Sequence, residues 1–169
     1  MSAADLNHSL AAVRLVAFDV DGVFTDGRFY LSDNGVECKA FSTQDGFGVR
    51  QLLAAGIEIA VISGRKSQAV EHRMRELGVQ HIYLACSDKL AAFDNLLEKL
   101  RMTPQQCAYV GDDIPDLPLL GRVGMPIAVA NAVLAVQQQC RITTQASGGF
   151  GAVREVCDML LEARRQVAP

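Results

Sequence analysis

The side chains able to do chemistry fall into four short stretches. In "FDVDGVFTDG" (18–27), Asp19, Asp21 and Asp26 follow directly on an apolar run, and "VGDDIPD" (110–116) supplies Asp112, Asp113 and Asp116 in the same setting. Carboxylates gathered in this way can ligate a hard cation or pass protons. "VISGR" (61–65) offers the small hydroxyl of Ser63 beside backbone N–H groups at a strand end, an arrangement able to hold a phosphoryl group. Lys89, after Asp88, is a cation in the first turn of a helix, where it opposes the positive end of the helix dipole. Each stretch alone also has an ordinary reading. Acids and glycine punctuate turns, a first-turn lysine is solvated, and Asp112 to Asp116 can serve as an N-cap with a charged first turn.

These positions converge only if the elements carrying them are parallel neighbours. Short β-branched runs alternate with amphipathic stretches, the pattern of βα units winding a parallel sheet. Strands are expected at 14–20, 57–63, 81–85, 107–112 and 126–130, with 140–144 a possible last one. Helices are expected over 45–56 and 67–78, each ending in a glycine suited to the C-cap. A third is expected over 87–100, where a Ser-Asp cap opens the helix and Leu90, Phe93, Leu97 and Leu100 share one face. In such a sheet ligands sit beyond the carboxyl ends of the strands, where Asp19, Ser63 and Asp112 all fall.

One segment breaks the alternation. "GRFYLSDNGVECKAF" (27–41) is two strand-like runs around Ser32-Asp33-Asn34-Gly35, which predicts a β-hairpin inserted after the first strand. The fold class is therefore α/β, a doubly wound parallel sheet with a hairpin insertion and no insertion large enough for a cap domain. Residues 1–169 are expected to form a single domain with a C-terminal tail from about 147, and the chain beyond Gln166 is expected to fray.

With 169 residues, 50% of them hydrophobic, the chain can bury one substantial core but not two. A formal net charge of −3, with no block of like charge, excludes the basic footprint of a nucleic-acid partner. No run reaches the roughly 18 apolar residues of a membrane span, and no basic region followed by a long apolar core opens the chain. A soluble, cytoplasmic protein without a membrane partner is expected. Cys38, Cys86, Cys107, Cys140 and Cys157 are scattered and never spaced as CxxC. Most are expected to be small buried side chains rather than disulfide or zinc ligands.

Taken in order, each at a strand end, the four motifs resemble those of the haloacid dehalogenase-like hydrolases. The matching positions are "DVDG" at 19–22, Ser63, Lys89 and "GDDIPD" at 111–116. Within that superfamily the chain is similar to the 3-deoxy-D-manno-octulosonate 8-phosphate phosphatases from Val13 to about Leu161. The similarity is carried by "STQDGFGVR" (42–50), "ISGRKSQAVEHR" (62–73), "GDDIPDLPLL" (111–120) and, most specifically, "GGFGAVREVCDMLL" (148–161). Phe24 and Phe47 stand where such sequences can carry other residues, and neither change removes a functional group.

The resemblance implies a Rossmann-like fold and Mg²⁺-dependent hydrolysis of a sugar-acid phosphate in lipopolysaccharide precursor synthesis. It implies that Asp19 is nucleophile and metal ligand, that Asp21 is the general acid/base and lends its carbonyl to the metal, and that Asp112 completes the protein ligands. Ser63, the N–H of Gly64 and Lys89 would bind the phosphoryl group. Asp21, Ser42, Thr43, Gln44, Asp45, Gly46, Arg50, Arg65 and Arg73 match substrate-contact positions, and guanidinium groups suit a sugar carboxylate. Arg154 is a further candidate. Asp113 and Asp116 would orient Lys89 or metal-bound water, and the lack of a histidine cluster argues against zinc.

Such proteins form homotetramers whose hairpins assemble across subunits and whose C-terminal tail reaches a neighbouring site, for which "SGGFG" (147–151) has the flexibility. Asp26 stays outside the set as a turn residue. Two other readings stand beside this one. The first is a phosphatase for a nine-carbon sugar acid, and the second is a non-catalytic oligomerisation module of a sugar-nucleotide pathway. Intact Asp19, Asp21, Lys89 and Asp112 speak against the second.

Overall fold

The computed structural model describes residues 3–167. The elements are α1 (Ala3–Ala11), β1 (Leu15–Phe18), β2 (Tyr30–Leu31), β3 (Glu37–Cys38), α2 (Thr43–Ala54), β4 (Glu58–Ile62), α3 (Gln68–Leu77) and β5 (His81–Tyr83). They continue as α4 (Lys89–Leu100), β6 (Cys107–Gly111), α5 (Leu117–Leu120), β7 (Met125–Ala128), α6 (Leu134–Gln139), β8 (Ile142–Thr143) and α7 (Ala152–Val167). Six strands form one sheet in the order β5-β4-β1-β6-β7-β8, all parallel, while β2 and β3 pair antiparallel in a separate ribbon. The chain winds outward from β1 to β5, then crosses back to β6 and winds the other way. That reversal beside β1 is the switch point at which open α/β sheets bind ligands.

Register explains why distant residues meet. Phe18 lies opposite Val61 on one side and Val110 on the other, so Asp19, Ser63 and Asp112 leave the sheet at the same edge. All four residues of β1 are fully buried, as expected of a central strand covered on both faces. Leu15, Val16 and Phe18 each contribute roughly 1.5–3 kcal/mol of transfer free energy, which fixes the strand whose end carries Asp19. Among the α4 residues Phe93, Leu96 and Leu97 are buried and Leu100 packs against the core, so the covering face gains Leu96, while Leu90, also expected on it, is only partly buried.

The expected strands are all present, shorter by one to three residues because turns take over at their ends. The hairpin is also present, but its loop is Asp33-Asn34-Gly35. Ser32 N–H donates to the Val36 carbonyl at 3.0 Å and Gly35 N–H to Ser32 at 2.8 Å, giving three loop residues with the glycine in the left-handed region. Of the cysteines only Cys107 and Cys157 are buried, and Cys38 is exposed on the hairpin, which corrects the expectation that most lie in the core.

Two features depart from the sequence reading. The helix α1 was not anticipated; Leu6 and Leu10 join the core and Asn7 Nδ2 donates to Gln166 Oε1 on α7 at 2.9 Å. The Ser147–Gly151 stretch, expected to be flexible, is a turn docked on its own chain, with Gly149 N–H donating to Val23 O at 3.1 Å and Phe150 N–H to Ser147 O at 3.0 Å. Helix α7 then packs on α1 and α2. Val167 still belongs to α7, and of the tail expected to fray, the last two residues lie outside the described part. Among the described residues no helix is long and apolar enough to cross a membrane.

Arg164 secures α7 to the sheet's N-terminal edge. Its guanidinium donates from Nη1 to Ala55 O at 2.9 Å and from Nη2 to Val13 O at 3.0 Å, joining the end of α2 to the lead-in of β1. Arg164→Ala should lower unfolding free energy by about 2 kcal/mol in chemical denaturation. Arg164→Lys should recover less than half of that, because one ammonium cannot present the planar fork to two carbonyls.

Candidate active site

At the carboxyl end of β1 the chain turns sharply. The N–H groups of Val23, Phe24 and Thr25 all donate to Val20 O, at 3.2, 2.9 and 3.1 Å. Buried Thr25 stands inside the turn, its Oγ1 accepting from Gly22 at 3.4 Å and Gly27 at 3.2 Å. Gly22 has φ 91°, and a Cβ there would run into the Asp112 carboxylate. The turn can therefore bring Asp19 and Asp21 against the end of β6 only with glycine at 22. Asp26 behaves as a turn residue, accepting from Arg28 N–H at 3.0 Å.

Around this turn lies a crevice of about 320 Å³ lined by Asp19, Asp21, Gly27, Ser63, Gly64, Arg65, Lys89, Asp112, Asp113 and Pro115. A larger hollow of about 690 Å³ lies between α1 and α7, but its lining, which includes Gln44, Arg154, Glu155 and Asp158, has no convergent set of reactive groups. Chemistry rather than size therefore selects the crevice.

Lys89 is its hub. The ammonium lies 3.0 Å from Asp19 Oδ1 and 2.8 Å from Asp116 Oδ1, with about a tenth of its side chain exposed. The first-turn position that opposes the helix dipole is thus met by two carboxylates. Asp116 is wholly committed: Oδ1 also accepts from Tyr109 at 2.7 Å, and Oδ2 accepts the N–H groups of Asp112 at 3.0 Å and Asp113 at 3.3 Å. Asp113 does not touch Lys89. It caps the short turn that follows, accepting from Ile114 N–H at 2.7 Å.

Asp21 faces the hairpin. Lys39, whose side chain is fully buried, donates to Asp21 Oδ1 and lies 3.7 Å from Glu37 Oε1. Arg65 Nε is 3.7 Å from Asp21 Oδ2, while its Nη2 donates to Glu37 Oε2 at 2.8 Å and its guanidinium covers Phe29 at 4.1 Å. Ser67 Oγ closes the set on Glu37 Oε1 at 2.6 Å. Burial raises the Glu37 pKa, but hydrogen bonds from Ser67 and Arg65 outweigh it and hold the group below its ordinary value. The hairpin is thereby clamped to the loop after β4.

The donor set fits a hard divalent cation. Asp19, Asp112 and Asp116 bring carboxylate oxygens within 4.8 Å of one another. Both oxygens of Asp116 are satisfied, whereas Asp112 Oδ1 is buried without a partner, so Asp19 and Asp112 are the available ligands and Asp116 organises them. Burial, with the charge of Asp116, raises Asp19 to about 6 although Lys89 opposes it. Burial, with the charge of Asp19, raises Asp112 to about 7. Lys89 is disfavoured by burial, but Asp19 and Asp116 more than compensate and hold its pKa above the ordinary value.

Not every expected residue converges. Thr43, Gly46, Arg50 and Arg73 line a separate hollow of about 230 Å³, where Arg73 pairs with Glu76 at 2.8 Å and Arg50 donates to Glu76 O at 3.2 Å. Ser42 caps α2, and Gln44 lines the hollow beside α7. Asp45 is turned away to cap α7 from outside, accepting Arg154 N–H at 2.8 Å. Burial raises its pKa, with the amides of Arg154 and Gly151 opposing. Arg154 pairs with Asp158 at 2.8 Å.

Conversely, Tyr109, Lys39, Glu37 and Thr25 were not singled out from sequence. Tyr109 reads as core, the hairpin pair as an exposed strand, and Thr25 as part of a turn; their only signal is adjacency to the motifs.

Comparison with known proteins supports the same reading. Residues 85–155 match a family model described as haloacid dehalogenase-like hydrolase. The chain is 47% identical over 161 residues to 3-deoxy-D-manno-octulosonate 8-phosphate phosphatase of Escherichia coli K12, covering 95% of this chain and 86% of that one. The crystal structure of the Yersinia pestis phosphatase superposes with a TM-score of 0.94 at 42% identity, covering 96% and 88%. The Moraxella catarrhalis enzyme, solved with magnesium, phosphate and the sugar acid, matches with a TM-score of 0.94 at 39% identity over 98% and 95%.

The raised carboxylates carry a sign. Their folded form keeps protons that the unfolded chain has released, so their contribution to stability is present at low pH and lost as pH rises through about 6 to about 7. In chelator, Tm should therefore fall between about pH 5 and about pH 8, Mg²⁺ should reduce the fall, and Asp112→Asn should flatten it. A chelator profile in which Asp112→Asn leaves the slope unchanged would contradict this placement of charge.

Proposed function

The chain belongs to the 3-deoxy-D-manno-octulosonate 8-phosphate phosphatase family of haloacid dehalogenase-like hydrolases, and on that footing we propose that it releases phosphate from 3-deoxy-D-manno-octulosonate 8-phosphate. The observation that carries the reading is Lys89 shared between Asp19 and Asp116 beside the unpartnered, buried Asp112 oxygen. It supports a site built to hold a nucleophilic carboxylate beside concentrated positive charge.

Mg²⁺, held by the carboxylates of Asp19 and Asp112 and the carbonyl of Asp21, would supply Lewis-acid neutralisation of the phosphate dianion. The protein's own residues do the rest. Ser63 and the N–H of Gly64 bind phosphoryl oxygens, and Lys89 offsets their charge while holding Asp19 for attack. The Asp19 carboxylate oxygen forms a bond to phosphorus as the bond to the sugar oxygen breaks, and Asp21 protonates the departing oxygen. Water, deprotonated by Asp21, then attacks the aspartyl-phosphate and releases phosphate, restoring Asp19.

Lys39 and Arg65 hold the Asp21 carboxylate at the crevice mouth, so the hairpin positions the acid/base group. Exposed Phe29, Tyr30, Leu31 and Val36 on that hairpin support assembly into a homotetramer. Arg50 and Arg73, set apart from their own chain's crevice, are then available to a neighbour's substrate. The same reading carries with it a cytoplasmic role in lipopolysaccharide precursor synthesis.

Phosphate release should require a divalent cation, and a panel of eight- and nine-carbon acid phosphates should show the highest kcat/KM for the eight-carbon ester. Asp19→Asn should reduce turnover by about three orders of magnitude or more with the fold intact; near-normal activity would overturn the covalent route. Lys39→Met should lower kcat about 10- to 100-fold with little change in KM, and Lys39→Arg should restore part of it. An unchanged kcat in Lys39→Met would show that the hairpin does not position Asp21.

A further inference from the structure

The two turns that flank the metal-ligand carboxylates are joined to a third, from the C-terminal part of the chain. Gly22 is confined on two sides. A Cβ on it would strike the Asp112 carboxylate, and a Cβ on Gly148 would strike its carbonyl oxygen. Backbone lies directly on backbone here. Gly149 extends the contact, its N–H donating to Val23 O at 3.1 Å, and a Cβ on it would come within 2.6 Å of Asp26 N.

Asn131 lies at the junction of the three turns. Its Oδ1 accepts from Gly148 N–H at 2.6 Å, and its Nδ2 donates to Gly22 O at 3.5 Å. The same Val129–Val133 turn closes on itself through Ala132 N–H to Val129 O at 3.0 Å and grips Asp112 through Val133 N–H to Asp112 O at 2.9 Å. One short turn therefore touches the backbone of a carboxylate ligand, the glycine against which that carboxylate lies, and the Gly-Gly turn behind it. No residue of this brace lines the crevice.

We propose that Asn131 and Gly148 are positioning residues that set the separation of the Asp19–Asp21 turn from Asp112, and with it the affinity of the site for its divalent cation. The inference rests on the phosphatase reading. The brace acts on backbone alone. Gly148 lets the C-terminal turn approach close enough to back the Gly22 carbonyl, and Asn131 uses donor and acceptor together to hold two backbones at one distance. Groups that orient ligands without touching the metal typically govern its affinity by about 10- to 100-fold.

The test is calorimetric titration of Mg²⁺ into metal-free protein, with no turnover involved, beside thermal melts of each variant. Asn131→Ala should bind Mg²⁺ about tenfold more weakly than the parent, and Gly148→Ala at least as weakly as that. Gly56→Ala serves as the comparison. It strains the α2–β4 turn at the far end of the sheet, where a Cβ meets nothing within 4 Å, and should lower Tm while leaving Mg²⁺ affinity unchanged. If Gly148→Ala fails to fold, Asn131→Ala decides alone, since it introduces no clash. Parent-like Mg²⁺ affinity in Asn131→Ala overturns the inference. So does an equal loss of affinity in Gly56→Ala, which would make the effect one of general stability. Absence of Mg²⁺ binding by the parent would overturn the phosphatase reading itself.

Discussion

One ammonium shared by two carboxylates sets the chemistry of this crevice. Lys89 is 3.0 Å from Asp19 and 2.8 Å from Asp116, and all three groups are largely withdrawn from water. At such separations and an effective dielectric near 20, each pair attracts by about 6 kcal/mol, and breaking a buried pair costs about 3–5 kcal/mol because the survivor stays charged and unpaired. That energy overrides the unfavourable helix-dipole position of Lys89. It also explains why Asp116 needs four donors. Tyr109, Lys89 and two backbone amides saturate the carboxylate, so it serves as a fixed counter-charge and leaves the available coordination to Asp19 and Asp112.

The hairpin stands where a larger insertion could have enclosed the substrate, and its contribution is electrostatic. A short two-stranded ribbon has little core of its own and is marginal in isolation. Here it is held by Glu37 on Arg65 and Ser67, and by Lys39 on Asp21. The bonds that keep the ribbon in place are therefore the same bonds that orient the carboxylate of Asp21, the proposed acid/base group. In the proposed mechanism, access to the crevice and the placement of Asp21 are coupled through one cluster of charges.

Much of this was legible in the sequence because the reactive residues sit at strand ends, where a local motif and the parallel topology suffice to place them. Asp19, Ser63 and Asp112 needed only adjacent parallel strands to converge, and the apolar run before each announced the strand. What could not be read depends on tertiary partners. Lys39 and Glu37 alternate with apolar residues as any exposed ribbon does, and Tyr109 is indistinguishable from a core aromatic until its hydroxyl meets Asp116. Asp45 lies in the segment expected to contact substrate, yet its carboxylate caps α7, a contact 109 residues distant in the chain. The glycines at 147–151 suggested flexibility, whereas in the structure they allow close approach. Absence of a side chain permits either, and only the neighbouring backbone decides.

The central claim is that Asp19, held by Lys89, accepts the phosphoryl group before water does. Its most direct measurement is the stereochemical course at phosphorus, followed with a substrate whose phosphoryl group is made chiral by oxygen isotopes. Two successive in-line displacements predict net retention of configuration. Net inversion would mean that water attacks the ester directly and would contradict the account.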